Sequence, residues 1–545
     1  MLRKIFHAQS KSVTFAALLL GVASLLSRLA GVVRDRLLSG TFGAGAELDS
    51  YYAAFRAPDF IYNLFVLGAI TAGFIPVFTR FMKPDDTERN DAPAWHLASS
   101  LLTIMGTVLV VFSVLGIATA HIFMPWVTPG FTGAQMQIII TLTRIMFFSP
   151  IFLGLSSVLG GILQTHRRFV VYAFAPIVYN LGIIIGILFL APSLGAVGVA
   201  IGVVLGSFLH FVIQLIACIS LGFHYHVSFD FRDHGVRQIG KMMIPRTADL
   251  AVDQINLVLL TGMASTLGVG SLAVFNLANN LQSFPVGILG VSFAIAAFPL
   301  IAELAAKNKK EEFIRTFSKT VRTILYLIIP ATIIFLLLRA QIVRVVLGTG
   351  RFDWNDTIAT ADTLSFFTLS LFAQALTPLI ARAFFAFHDV KTPFVIGTIA
   401  VVGERLLARV FIGFGMGTSG LALAFSLGTI LNAAALWVFL RLRTGHLEEK
   451  RIARSLGLMT IAATGMVVSM QGSKILLSHM VNMQTFMGIL TQGAVAGTVG
   501  IAVYVGITFL VGSEEAADVM KLYRRKFAAI PPETVHQEDD TLQGE

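Results

Sequence analysis

Charge is scarce in this sequence. Of 545 residues only 13% are Asp, Glu, Lys or Arg, while 56% are hydrophobic; soluble domains carry roughly 25% charged residues. That leaves too little polar material to coat a water-soluble body of this size, so the outer surface is expected to face lipid. Cysteine is nearly missing. The single Cys218 excludes an intramolecular disulfide framework and a cysteine metal centre, and a lone small residue in an apolar helix reads as packing. No cleavable leader is expected: the first apolar run starts near Ser12 and passes Ala30 without a small-residue cleavage site and a polar mature domain after it, so it reads as a retained first span. The net charge of +10 would suggest nucleic acid in a soluble protein. Here the basic residues sit in short loops, and no nucleic-acid partner is expected.

What is present is a series of apolar runs of about 20 residues or more, the length that crosses hydrocarbon. They fall near 13–38, 49–79, 96–122, 136–163, 170–190, 194–221, 242–265, 270–302, 318–347, 360–386, 392–414, 418–440, 454–477 and 483–511. The expected fold class is therefore an all-α polytopic membrane protein of about fourteen spans. With the N-terminus placed in the cytoplasm, 27 Lys and Arg collect on the cytoplasmic side and 6 on the other, the remaining 7 of the 40 lying within spans. This asymmetry predicts an even number of spans and two cytoplasmic termini. Residues 222–240, with His224, His226 and Arg232 among aromatics, read as an amphipathic helix at the cytoplasmic interface. Two histidines at i and i+2 without further ligands do not make a metal site.

The halves repeat. Thr41-Phe42-Gly43-Ala44-Gly45 corresponds to Thr266-Leu267-Gly268-Val269-Gly270, Pro76 to Pro299, His166 to His388, and Gly198 and Gly206 to Gly420 and Gly428. The offset of 222 to 225 residues equals about six spans, so the repeats run in the same direction. This predicts two pseudo-symmetric six-helix lobes with a site between them near the midplane: a first lobe over 1–222, an interfacial linker over 223–241, a second lobe over 242–445, spans 13 and 14 over 446–512 as a candidate lipid-tail groove, and a tail over 513–545 that is partly disordered.

Charge within a span costs roughly 2.5–3.5 kcal/mol at mid-depth and marks function by default. The first two spans hold Arg28, Arg34, Asp35, Arg36, Asp49, Arg56 and Asp59. Arg28 follows Ser27 within an apolar run and is expected to line a cavity. Arg34, Asp35 and Arg36 could instead snorkel to the interface. Two arginines on one cavity suit a diphosphate, which guanidinium binds bidentately, and would repel an organic cation. The expected substrate contacts are Ser27, Arg28, Arg34, Asp35, Asp49 and Arg56. Asp249, Asp253 and Asn256 share one helical face and, with Glu404, Arg405 and Arg409, form the expected coupling or cavity charge; a buried polar stripe and a self-neutralising cluster are the structural alternatives. Arg144 and His210 are isolated and are expected to be structural.

These features resemble the MurJ/MviN family of lipid II flippases in the MOP exporter superfamily. The resemblance is carried by Ser27-Arg28-Leu29-Ala30-Gly31-Val32-Val33-Arg34-Asp35, Asp49-Ser50-Tyr51-Tyr52-Ala53-Ala54-Phe55-Arg56-Ala57-Pro58, Phe74-Ile75-Pro76, Ile244-Pro245-Arg246, Asp253-Gln254-Ile255-Asn256 and Phe284-Pro285-Val286-Gly287. It implies two lobes around a cationic cavity, family arginines on the lipid diphosphate, and alternating access powered by membrane potential or by H+ or Na+. No cofactor is implied, and the expected partners are the lipid-linked peptidoglycan precursor, membrane lipids and the cell-wall synthesis machinery. The location implied is the bacterial inner membrane. The chain departs from the family pattern at Tyr62 and Asn63, where a basic residue is usual, at Leu67 for a glutamate, at Asn280 for a span 8 arginine, at Leu260 for a sodium-site aspartate, and at Glu404 for an asparagine.

Other functions compete less well. Export of another polyprenyl-diphosphate glycan is the nearest alternative. An ion-coupled cation exporter of the MATE type conflicts with the cationic first span. An enzyme would need a carboxylate cluster or a phosphatase motif at the membrane face, and the short outer loops offer only Asp353 and Asp356 near Trp354.

Overall fold

The apolar runs become helices. The computed structural model describes residues 13–67, 73–82 and 92–518, and no strand occurs among them. The side chains of Leu67 and Asp249 fall outside the described ones. The helices are α1 (Val13–Phe42), α2 (Ala46–Tyr62), α3 (Ile75–Phe81), α4 (Ala92–Val127), α5 (Gly133–Met146), α6 (Phe148–Thr165), α7 (Phe169–Ile185), α8 (Ala191–Leu194), α9 (Ala196–Ile219), α10 (His234–Ser265), α11 (Ser271–Pro285), α12 (Ser292–Ala306), α13 (Lys310–Leu337), α14 (Arg339–Leu347), α15 (Trp354–Thr368), α16 (Leu371–Ala386), α17 (Lys391–Gly413), α18 (Gly417–Thr444), α19 (Glu449–Ser478) and α20 (Phe486–Leu510). Nine helical segments among the described residues are long and apolar enough to cross a membrane, and the pair α15–α16, bent by 45°, makes a tenth when taken as one span. The other four expected spans fall on α1, α2, α10 and α17, the helices that carry most of the intramembrane charge.

The repeat is visible in the backbone. A π-helical turn follows α2 at Asn63–Leu67, and another follows α11 at Val286–Val291, 223 residues on. Gly195 before α9 has φ +57° and Gly417 at the start of α18 has φ +55°, 222 residues apart. These are left-handed positions that a Cβ would strain.

The chain packs as two compact units, Met1–Phe284 with Leu338–Gln374 and Asp389–Leu436, and Pro285–Leu337 with Ala375–His388 and Trp437–Glu545. In the first, small residues let backbones approach, as membrane helix pairs require. A Cβ on Gly182 of α7 would lie 2.2 Å from Gly206 Cα of α9, and one on Gly186 would lie 2.6 Å from Gly202 Cα. Phe74, Phe78, Leu97, Leu163 and Phe223 lie in its buried apolar core.

In the second unit α13 carries Arg322, 4% exposed, whose Nη1 donates to Glu515 beyond the end of α20 and to Glu514 Oε2 at 3.1 Å. Ser455 Oγ of α19 donates to Glu515 Oε1 at 2.9 Å, and Arg451 Nη2 donates to Glu514 Oε2 at 2.7 Å. The segment after α20 thus ties α13, α19 and α20 at one end.

The expected amphipathic helix over 222–240 is corrected in part. Residues 223–230 form no helix, and α10 begins only at His234, capped by Asp233 Oδ1 accepting from Val236 N at 2.9 Å. The amphipathicity has period two, that of an extended chain. Val227, Phe229 and Phe231 are exposed, while the intervening side chains reach α4: His226 Nε2 lies 3.1 Å from His96 Nδ1, Ser228 Oγ accepts from Ser100 at 2.8 Å, and Asp230 Oδ2 lies 3.4 Å from His96 Nε2.

Candidate functional site

The residues of α1 divide between two environments. Arg28 is half-buried on the wall of a chamber of about 710 Å³ enclosed by α1, α2, α3, α6, α7 and α9 of the first unit. Ser24, Ser27, Tyr62, Ser157, Gln164, Tyr172, His210 and Gln214 supply its polar groups, and none of the described lining residues is acidic. No hydrogen-bond or ion-pair partner meets Arg28 among the described residues. A lone guanidinium facing a cavity within a membrane bundle is a site for an anion.

Arg34 and Asp35 lie in a different network. Arg34 Nε and Nη2 donate to Asp35 Oδ1 at 3.0 and 2.8 Å, and its Nη1 donates to Asn180 Oδ1 of α7 at 3.1 Å. Asn280 Nδ2 of α11 donates to Asp35 Oδ2 at 3.0 Å. Asp35 is 7% exposed. In this conformation the pair neutralises itself and joins α1, α7 and α11. The amide at 280 satisfies the second carboxylate oxygen of Asp35.

Arg36 does not snorkel to water. It donates to Val345 O and, at 3.3 Å, to Val346 O, while Ser39 Oγ donates to Leu347 O at 2.9 Å. These are the last carbonyls of α14, where a cation offsets the helix dipole. Asp49 does not line the chamber that holds Arg28. It is fully buried, and its two oxygens accept from Gly270 N at 2.6 Å and Ala273 N at 2.7 Å. It caps α11 from another helix and satisfies orphan amides there. Arg56 reaches α10 and α11, donating through Nε to Thr261 Oγ1 at 2.8 Å and through Nη2 to Asn276 Oδ1.

A third cluster joins α10 and α17. Asn256 Nδ2 donates to Glu404 Oε2 at 3.3 Å, and Arg405 Nη2 donates to Asn256 O at 2.7 Å and to its Oδ1. Glu404 is 4% exposed and its Oε1 has no partner among the described residues. Gly428 makes room for it, since a Cβ there would lie 2.9 Å from Glu404 Cβ. Asp253 is exposed on α10. Arg409 stands apart, lining a shallow apolar pocket of about 480 Å³ with Trp126, Met263 and Ile412. Leu260 is buried. Arg144 Nε donates to Ile117 O at 3.1 Å.

Sequence reasoning missed the amides. Asn180, Asn276 and Asn280 partner the charges, and His210 and Gln214 line the chamber, with His210 Nδ1 2.7 Å from Ser156 Oγ. The available signal was the rarity of Asn and Gln within apolar runs, where each demands a hydrogen-bond partner.

Comparison with known proteins identifies the family. The family model described as lipid II flippase MurJ matches residues 38–492. A probable lipid II flippase MurJ from Vibrio cholerae is 30% identical over 453 residues, covering 81% of this chain and 86% of its own. The lipid II flippase MurJ of Burkholderia cenocepacia is 28% identical, covering 77% and 82%. Among solved structures, a lipid II flippase MurJ in an inward closed conformation matches with a TM-score of 0.73 at 23% identity, over 94% of this chain and 100% of that one. An inward-facing MATE family multidrug resistance transporter of the MOP superfamily matches with a TM-score of 0.65 at 15% identity, over 80% and 99%. These two structural likenesses speak for the fold. The chain is a multi-pass membrane protein that belongs to the lipid II flippase MurJ family.

Proposed function

We propose that this protein is a lipid II flippase. It carries the undecaprenyl-diphosphate-linked peptidoglycan precursor from the inner to the outer leaflet of the bacterial cytoplasmic membrane by alternating access. The observation that carries the reading is Arg28, which meets no hydrogen-bond or ion-pair partner among the described residues and stands on the wall of a chamber with no acidic residue among its described lining. It suits a diphosphate and disfavours an organic cation. Family membership supports the substrate class. The Lys and Arg asymmetry supports cytoplasmic termini, and the repeat supports two six-span lobes over 1–222 and 242–445. Transport without chemical conversion follows from this reading. The cluster of Asn256, Glu404 and Arg405 is the part best suited to couple transport to H+, Na+ or membrane potential, because a buried carboxylate with one unpartnered oxygen can exchange a cation. Handover of the product to the cell-wall synthesis machinery belongs to the same reading.

A second reading, export of another polyprenyl-diphosphate-linked glycan, is favoured by Tyr62 and Asn280, neutral hydrogen-bonding groups where the family pattern has charge. The test depletes the resident flippase of a bacterium that needs it, expresses this chain, and measures lipid II accessible on the outer leaflet. Wild type restores accessibility and Arg28→Ala, present at equal level in the membrane, does not. Well-expressed wild type that restores nothing refutes the lipid II reading.

A further inference from the structure

Arg409 is an intramembrane charge that the flippase reading leaves without a task. It sits four residues before the end of α17, is exposed, and meets no hydrogen-bond or ion-pair partner among the described residues. Helix capping does not explain it. The carbonyls of Val410, Phe411 and Ile412 already accept from Phe414 N at 3.1 Å, Met416 N at 3.2 Å and Gly415 N at 2.9 Å, so these orphan groups of the last turn are satisfied without it. Arg409 instead lines the apolar pocket of about 480 Å³ formed by the C-terminal ends of α4, α10 and α17. Trp126, Val258, Leu259, Met263 and Ile412 line it too, and none of the described lining residues is acidic.

The surroundings indicate the occupant. Trp126 is 85% exposed and Leu259 is exposed as well. Leu406, Val410 and Phe414, exposed and four residues apart, form a bare apolar stripe on α17 next to Arg409. In a membrane protein such a stripe faces acyl chains, and tryptophan at the end of a span concentrates at the level of the lipid headgroups. The anion available to a guanidinium at that level is lipid phosphate, which it binds bidentately. We propose that this pocket is a binding site for an anionic phospholipid, with Arg409 on the phosphate and the first part of an acyl chain against Trp126, Leu259 and Met263. Charge selects among phospholipids. An ethanolamine headgroup brings an ammonium that needs an acceptor, and the described lining has no carboxylate to offer it. A glycerol headgroup leaves the phosphate charge uncompensated for Arg409. With both termini cytoplasmic, as proposed above, the site faces the outer leaflet. It lies apart from the chamber of Arg28, and its ligand is a constituent of the bilayer rather than the transported molecule.

Trp126, one of four tryptophans, makes the site report on itself. The full-length protein is placed in phosphatidylcholine nanodiscs that contain rising fractions of phosphatidylglycerol or phosphatidylethanolamine with brominated acyl chains, which quench tryptophan emission on contact. The part of the quenching that Trp126→Phe removes belongs to the pocket. In wild type that part is expected to reach half its maximum at a fraction of phosphatidylglycerol about fivefold lower than of phosphatidylethanolamine, about 1 kcal/mol. Arg409→Gln is expected to abolish the difference and Arg409→Lys to keep its sign. Equal half-points for the two lipids in wild type overturn the proposal without recourse to any Arg409 variant, as does a preference that survives Arg409→Gln. Undecaprenyl diphosphate at a small fraction, added to the brominated phosphatidylglycerol discs, is expected to leave the quenching unchanged. Relief of quenching that requires Arg409 would make the occupant a polyprenyl lipid and overturn the assignment to phospholipid. No transport step enters the assay, so its failure and that of the flippase reading are distinguishable.

Discussion

Stability measurements distinguish a capping role of Asp49 from a place on a cavity wall. Replacing Asp49 with Ala removes both acceptors from Gly270 N and Ala273 N, at 2.6 and 2.7 Å, in a place with no solvent exposure. Loss of a helix cap costs about 0.5–2 kcal/mol. A hydrogen bond to a charged group contributes about 1.5–3 kcal/mol, and a buried donor left unpaired costs about 1–3 kcal/mol. These ranges overlap in what they count, so the total falls at about 3–5 kcal/mol. Asp49→Asn keeps one acceptor oxygen and loses about half. The protein supplies its own reporter, because Cys218 is the sole cysteine and is fully buried. A thiol-reactive fluorophore therefore reads unfolding through that one site. Melting of purified protein should fall in the order wild type, Asp49→Asn, Asp49→Ala. The reasoning is refuted if Asp49→Ala melts with the wild type while transport is lost, which is how a substrate contact with no capping role would behave.

Other perturbations follow the same logic. Arg322→Ala leaves Glu515, 4% exposed, without its guanidinium and should lower stability by about 3–5 kcal/mol; Arg322→Met combined with Glu515→Gln should recover much of it in the same thiol melt. Gly202→Leu places side-chain atoms where Gly186 Cα already lies within 2.7 Å of a Cβ, so α7 and α9 cannot close, and folded protein recovered from membranes should fall steeply. Asp230 is held below the ordinary carboxylate value of 3.8 by its hydrogen bond with His96 and by the amides of Arg232 and Asp233. Because the folded value is depressed, its contribution is present above that ordinary value and is lost as pH falls below it. The protection factors of the amides of residues 224–233, faced by His96, His226 and Arg232 and taken relative to the intrinsic exchange rate at each pH, should fall at pH 3 relative to pH 7; equal protection factors at both would show that Asp230 does not pin the segment.

How much of this was legible in the sequence depended on which physical signal each feature left. Span length and the 222-residue repeat are properties of the chain itself, and the glycines at 195 and 417 and the π-helical turns after α2 and α11 carry the same repeat into the backbone. Intramembrane charge pointed to the right helices but not to roles, because a charge in hydrocarbon is costly whether it binds substrate or holds two helices together. Arg28 and Arg34 are six residues apart on one helix and look equivalent in sequence. What separates them is Asp35 with Asn180 and Asn280, from α7 and α11, and no local pattern announces that those amides converge. Asp49 was misplaced for the same reason, since a cap supplied by another helix leaves no trace at the capped end; Gly270 shows only a glycine. Residues 222–240 failed differently. Their alternation of polar and apolar residues at period two was legible from His226 to Phe231, and reading it as a helix gave too little weight to that period over the expectation of an interfacial helix. Roles that arise from partners distant in sequence are therefore the part that required the fold.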